Sequence, residues 1–61
     1  MALYRLLFFD PDRHIESVRE IAAASDIDAL EAARHETNER HSELWCGSRL
    51  VDSFHAPRGA D

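Results

Sequence analysis

Four histidines and one cysteine are the side chains of this sequence best suited to binding a metal ion. They are His14, His35, His41, His55 and Cys46. None of their spacings forms a ligand motif, because His35 and His41, six positions apart, fall on different sides of a helix. Zinc sites normally pair their ligands at close spacing. We therefore predict no metal site, and we expect surface histidines together with a buried, unreactive thiol.

Cys46 is also the side chain to consider for nucleophilic catalysis. A catalytic thiol needs a histidine base and a third group that orients the base. Cys46 instead ends a strand predicted to face the core and precedes a tight turn, and burial of this kind leaves a thiol inert. We predict that the protein is not an enzyme and that it has no catalytic residues.

Carboxylates occur in pairs, but their positions indicate structural roles. Two pairs fall in the predicted helix, namely Asp26 with Asp28 and Glu36 with Glu39. There they cap the helix or face solvent. The Asp10-Pro11-Asp12 run predicts a turn, because a calcium loop requires many more oxygen ligands. Only two glycines are present, too few for a phosphate-binding loop, so we expect no cofactor.

The composition limits the fold and the compartment. A chain of 61 residues holds one domain, which we assign to residues 1–55, with residues 56–61 as a frayed tail. Because Cys46 is the only cysteine, no disulfide within the chain supplements the marginal core of so short a domain. No apolar run approaches the ~20 residues of a membrane span. With no export signal either, we predict a cytoplasmic protein.

A helix predicted for residues 26–41 is the element around which the other elements are arranged. Ser25 and Asp26 supply its N-cap, and neither proline nor glycine interrupts it. Its apolar stripe consists of four residues at helical spacing: Ile27, Leu30, Ala33 and Thr37. A stripe this narrow requires a sheet to pack on.

Strands are predicted on both sides of this helix. Residues 2–9 are rich in leucine and aromatic residues and end at the Asp10-Pro11-Asp12 turn. Residues 42–46 and 49–55 flank Gly47-Ser48, which predicts a hairpin with a two-residue loop. The pairs in that register are Trp45 with Leu50, Leu44 with Val51, and Glu43 with Asp52.

Residues 14–24 fit two structures. Ile15, Val18 and Ile21 recur at helical spacing, which favours a helix. That helix would leave almost no loop before Ser25 and Asp26, where the next helix begins. The residues alone leave both alternatives open.

A pattern spread over the chain bears on this choice. Its residues are Tyr4-Arg5-Leu6, Phe8, Asp10, His14-Ile15, Asp26, Ala29-Leu30, Ala33-Arg34, Glu43-Leu44-Trp45, Gly47 and Arg49-Leu50-Val51. With this pattern the chain resembles a set of small bacterial proteins of about its own length and of unknown function, over all but its C-terminal tail. Similar members carry glycine or acidic residues in the segment matching residues 13–24, so the resemblance implies a strand over residues 14–23. It implies no catalytic residues.

Together these elements predict an α+β fold of order β-β-α-β-β, with one helix on one face of a four-stranded antiparallel sheet. The side chains expected beneath the helix are Tyr4, Leu6, Phe8, Leu44, Cys46 and Val51. The opposite face carries six large apolar side chains: Leu3, Leu7, Phe9, Trp45, Leu50 and Phe54. Monomers rarely expose so large an apolar patch. We predict an interaction surface for a homodimer or for another protein, the alternative being that the tail and the stems of Arg5 and Glu16 cover this patch.

The same face suggests a second function. Phe9, Trp45 and Phe54 are aromatic side chains of the kind on which bases stack. However, Arg5 is the only basic residue expected beside them, and a formal net charge of −5 repels a phosphate backbone. A nucleic-acid-binding accessory protein is therefore the alternative to a protein-interaction module.

Overall fold

The computed structural model describes residues 1–37 and 41–55, and these form one antiparallel sheet with one helix. The elements in chain order are β1 (Ala2–Phe9), β2 (Ile15–Ala23), α1 (Asp26–Thr37), β3 (Ser42–Cys46) and β4 (Arg49–Phe54). The strand order in the sheet is β2-β1-β3-β4. The predicted α+β fold of order β-β-α-β-β is confirmed. The predicted tail, residues 56–61, lies outside the described residues.

The turn between β1 and β2 forms around the carboxylate of Asp10. Its Oδ1 accepts hydrogen bonds from the backbone N–H groups of Asp12 and His14, both at 2.9 Å. The N–H of Arg13 donates to the carbonyl of Asp10, and Arg13 adopts a φ of 68°. The predicted turn is confirmed. Because this turn returns the chain alongside β1, the strand alternative for β2 is correct and the helix alternative is wrong.

The two ends of α1 differ in how well local signals mark them. At the start, the N–H of Asp28 donates to Ser25 Oγ at 3.2 Å, so the predicted N-cap is confirmed. At the other end, the described part of α1 reaches Thr37 and His41 is not helical, so the predicted end at His41 is wrong. The carbonyl of His41 accepts the N–H of Phe9 at 3.0 Å, and His41, the residue before β3, therefore belongs with the sheet.

The face of α1 that packs on the sheet is built mainly from alanine. Ala29 and Ala33 are fully buried, and Leu30 packs against the same cluster. Ile27 was predicted to share this stripe, but it is 72% exposed. Small side chains let the helix lie close to the sheet, so the buried stripe centres on Ala29 and Ala33 and leaves Ile27 to one side.

The β3–β4 hairpin has the predicted two-residue loop. Gly47 and Ser48 connect the strands, and Gly47 adopts a φ of 60°, a conformation that suits glycine. Trp45 lies opposite Leu50, as predicted.

Beyond that pair, a β-bulge shifts the register. Leu44 lies opposite Asp52 and not Val51, so Val51 is the additional residue on β4. A shift of one residue reverses the side to which the following residues point. Phe54, opposite the buried Ser42, therefore packs against the core on the helix side of the sheet. Its predicted place on the opposite face is wrong.

The hydrophobic core lies between α1 and the sheet, as predicted. Its buried members are Tyr4, Leu6, Phe8, Ala23, Ala29, Ala33 and Leu44. Around them pack the partly buried side chains of Ala2, Ile21, Leu30, Cys46, Val51 and Phe54. Cys46 thus lies at the margin of the core and is half-buried.

Candidate interaction surface

The side of the sheet facing away from α1, here called the open face, carries most of the predicted interaction residues. Alternation along β1 and the cross-strand pairs define its members. The large apolar ones among the described residues are Leu3, Leu7, Phe9, Ile15, Val18, Trp45 and Leu50, and the charged ones are Arg5, Glu20 and Glu43. Of the six predicted residues, Leu3, Leu7, Phe9, Trp45 and Leu50 lie here. Phe54 does not, because the bulge turns it toward the core.

Two apolar members of the open face, Ile15 and Val18, were missing from the predicted surface. Val18 lies opposite Leu7 and Ile15 opposite Phe9, so β2 extends the apolar surface laterally. The pairing of β1 with β2 is what places Ile15 and Val18 on the open face. The turn at Asp10 indicates that pairing only once residues 14–23 are taken as a strand.

Much of this apolar surface is accessible. Leu3, Ile15, Val18 and Leu50 are between 47% and 57% exposed, and Leu7, Phe9 and Trp45 are half-buried. A solvated face of an antiparallel sheet usually carries polar residues. So many large, accessible apolar side chains on one face of a small domain are typical of a binding site.

Charged residues alternate with the apolar ones in two neighbouring rows of the open face. In one row Arg5 lies between Glu20 on β2 and Trp45 on β3. In the next row Leu7 lies between Val18 and Glu43. The open face therefore carries both signs of charge close to its centre.

A hydrogen bond fixes the orientation of the indole ring. Trp45 Nε1 donates to Glu43 Oε1 at 3.0 Å, joining two residues two positions apart on β3. The pairing of Glu43 with Asp52 expected from the sequence is wrong, because Glu43 lies opposite Ser53. The like-charge contact expected between those two carboxylates is thus absent from the described pairing of β3 with β4.

Both edges of the sheet carry features that discourage strand addition. On β2, Arg19 points to the helix side opposite Leu6, and its guanidinium lies 3.5 Å from the Glu36 carboxylate on α1. An inward-pointing charge of this kind is a known protection of edge strands, as is the β-bulge at Val51 on β4. An apolar partner is therefore accommodated more readily on the open face than at either edge.

A second polar cluster joins α1 to the sheet on the helix side. The hydroxyl of Tyr4 donates to Asp26 Oδ1 at 2.7 Å, and the Arg49 guanidinium donates to both Asp26 oxygens, at 2.9 and 3.2 Å. The hydrogen bonds from Arg49 and then from Tyr4 lower the pKa of Asp26. The same carboxylate raises the pKa of Tyr4 through its hydrogen bond. Each group is satisfied by the others, so the cluster stabilises the start of α1.

One group of potential metal ligands occurs within residues 1–37 and 41–55. The carboxylates of Asp10 and Asp12 and the imidazole of His14 have ligand atoms within 4.8 Å of one another. Asp10 already accepts two backbone N–H groups, and Asp12 and His14 are exposed. The turn accounts for this arrangement, and the absence of a metal site stays a prediction.

A cavity of about 590 Å³ lies where the β1–β2 turn meets the start of β3 and the end of β4. The imidazole rings of His41 and His55 meet edge to face beside it, with centroids 5.7 Å apart. Its lining residues are Phe9, Asp10, Pro11, Arg13, Glu16, His41, Ser42, Glu43, Ser53, Phe54 and His55. Phe9 and Glu43 make the cavity continuous with the open face.

Comparison with known proteins adds no relative. No protein family, curated protein or solved structure matches the chain. The resemblance to small bacterial proteins therefore stays a prediction. Within the part of the chain that the structure describes, no helix is long and apolar enough to cross a bilayer.

Proposed function

We propose that the protein is a small, non-catalytic protein-interaction module of the cytoplasm that self-associates through the open face. The observation that carries this proposal is the set of seven large apolar side chains that the described residues place on the side of the sheet away from α1. Four of them, Leu3, Ile15, Val18 and Leu50, keep about half of their surface accessible. Partner binding is the usual reason for such a surface.

The energetics favour covering this surface. Complete burial of a leucine or valine side chain contributes about 1.5–3 kcal/mol, so covering the exposed half of one contributes on the order of 1 kcal/mol. A single core in a domain this small supplies only ~3–5 kcal/mol. Covering several of these side chains is therefore comparable with the whole stability of the isolated domain.

A second copy of the chain suits the charges of the open face. The chain as a whole has a formal net charge of −5, so two copies repel each other on average. The open face is different, because Arg5 accompanies Glu20 and Glu43. A surface with both signs can complement itself across a two-fold axis, the commonest symmetry of oligomers.

A nucleic-acid partner gains less support. Among the described residues, Arg5 is the single arginine of the open face and lies beside two glutamates, so little phosphate charge is neutralised. Of the three aromatic residues expected to form a stacking platform, Phe54 packs on the other side of the sheet. The indole N–H of Trp45 is already bonded to Glu43.

Substitutions on the open face test the proposal against a matched control. Val18→Thr combined with Leu50→Thr removes exposed apolar surface but keeps β-prone or β-branched residues in the strands. Ile27→Thr makes the same kind of change on α1, where Ile27 is 72% exposed. We expect the double variant to self-associate at least tenfold more weakly in sedimentation equilibrium, and Ile27→Thr to behave as the wild type. Equal association of both variants would contradict the proposal.

A further inference from the structure

We propose that two copies pack open face against open face around a two-fold axis that runs along the line from Leu7 to Trp45. Arg5 of each copy then meets the partner's Glu43. This inference rests on the proposed self-association and adds its geometry. It follows from the positions of four residues at the centre of the open face.

These four residues form a near-rectangular array. Arg5 lies opposite Trp45, and Leu7 lies opposite Glu43, on the neighbouring strands β1 and β3. Neighbouring strands are about 4.8 Å apart, and residues i and i+2 along a strand are roughly 6.8 Å apart. Arg5 and Glu43 therefore occupy one diagonal of the array, and Leu7 and Trp45 occupy the other.

A two-fold axis along the Leu7–Trp45 diagonal nearly exchanges the other two corners, which miss each other by about 3 Å because the array is longer along the strands than across them. The long side chains of Arg5 and Glu43 span that offset. It places Arg5 of one copy over the partner's Glu43, and Glu43 over the partner's Arg5. Leu7 and Trp45 lie on the axis, so each meets its own counterpart in the partner. With the strand spacings above, the strands of the two sheets cross at roughly 70°, close to the orthogonal class of sheet packing.

The side chains of Arg5 and Glu43 can both form an ion pair with a second copy. Arg5 is exposed and makes no ion pair within residues 1–37 and 41–55, although Glu20 lies opposite it. Glu43 uses Oε1 for the Trp45 indole and keeps Oε2 as an acceptor. An arginine at the centre of an apolar interface requires a carboxylate partner, because an unpaired buried charge is strongly unfavourable.

Other axes through the same centre satisfy these residues less well. An axis parallel to the strands, between β1 and β3, places Arg5 over the partner's Trp45 and Leu7 over the partner's Glu43, so neither charge is paired. An axis across the strands at Arg5 places the two arginines against each other. Among the axes through this centre, the diagonal axis pairs opposite charges and stacks apolar side chains on apolar side chains. An axis between β1 and β2 would instead place Arg5 over the partner's Glu20, and the Glu20→Arg variant below distinguishes the two arrangements.

Charge exchange tests the geometry. We expect Arg5→Glu and Glu43→Arg each to weaken self-association at least tenfold, because each brings like charges together across the axis. An equimolar mixture of the two variants restores both pairs and forms a heterodimer, and the double variant R5E/E43R self-associates like the wild type. Because Glu43→Arg also removes the indole hydrogen bond, restoration in the mixture separates the ion pair from that local change. Sedimentation equilibrium measures all four samples, and circular dichroism confirms that each is folded.

Glu20→Arg is the matched control. It makes the same charge change on the open face at a position that the axis does not pair with Arg5. Glu20→Arg alone should therefore self-associate like the wild type. Mixing it with Arg5→Glu keeps only one of the two ion pairs, so the mixed dimer stays weaker than the wild-type dimer. Single variants that associate as tightly as the wild type overturn this geometry and leave the proposed self-association standing. A wild-type chain that stays monomeric at high micromolar concentration, with or without bound single-stranded RNA, overturns both.

Discussion

Replacing Leu6 by alanine measures how far the stability of the domain depends on the helix side of the sheet. Leu6 is completely buried and pairs with Leu44 on the neighbouring strand. Truncating a buried leucine to alanine typically costs about 2–5 kcal/mol, which is comparable with the ~3–5 kcal/mol available to a domain of this size. Leu3 is the control, because it lies on the same strand, faces the open side and is 53% exposed.

The assay is thermal unfolding followed by circular dichroism at low micromolar concentration, where association contributes least. One kcal/mol corresponds to roughly 4–8 °C in Tm for a domain of this size. We therefore expect Leu6→Ala to lower the Tm by about 10–30 °C or to abolish folding, and Leu3→Ala to lower it by less than about 10 °C. If Leu3→Ala lowered the Tm as much as Leu6→Ala, the assignment of the core to the helix side would be refuted.

Three further predictions concern particular side chains. Because Arg49 and Tyr4 lower the pKa of Asp26 below its ordinary value of 3.8, this carboxylate stabilises the fold at neutral pH and loses that effect as the pH falls below about 4. The Tm of Asp26→Asn should therefore fall less than that of the wild type on acidification. Arg13→Gly should stabilise the fold by up to ~1 kcal/mol in urea unfolding, since Arg13 has a φ of 68°, whereas Arg13→Val should destabilise it. Ser42→Ala should raise stability by about 1 kcal/mol in the same assay, because Ser42 Oγ is buried without a hydrogen-bond partner among the described residues.

Local signals made several elements predictable. The Ser25 cap joins residues three positions apart, and the Asp10 turn joins residues four positions apart. Both partners of each contact therefore lie in one short stretch of sequence, where a local pattern can reveal them. The end of α1 had no comparable signal, because neither glycine nor proline follows Thr37. The hydrogen bond from Phe9 to the carbonyl of His41 shows that His41 joins the sheet, and this depends on a contact distant in sequence.

The face to which each strand side chain points was predicted correctly only where the pairing register is regular. Alternation along β1 correctly separated Leu3 and Leu7 from the buried Leu6. On β4 the bulge at Val51 reversed the later positions, so Phe54 was assigned to the wrong face. No feature of the sequence around Val51 distinguishes a bulged strand from a regular one.

The sequence did not predict that β2 contributes to the open face, for a different reason. Ile15 and Val18 have a spacing that fits a helix as well as a strand, and only pairing with β1 decides between them. The inward position of Arg19 is likewise explained by its ion pair with Glu36 on α1, a contact between elements that local patterns do not contain.

Sedimentation equilibrium of the wild-type chain from low to high micromolar concentration tests the central claim most directly. If the open face joins two copies, the weight-average mass rises from the 7.0 kDa of the single chain toward twice that value as the concentration increases. A mass that stays at 7.0 kDa over the whole range would contradict self-association through the open face.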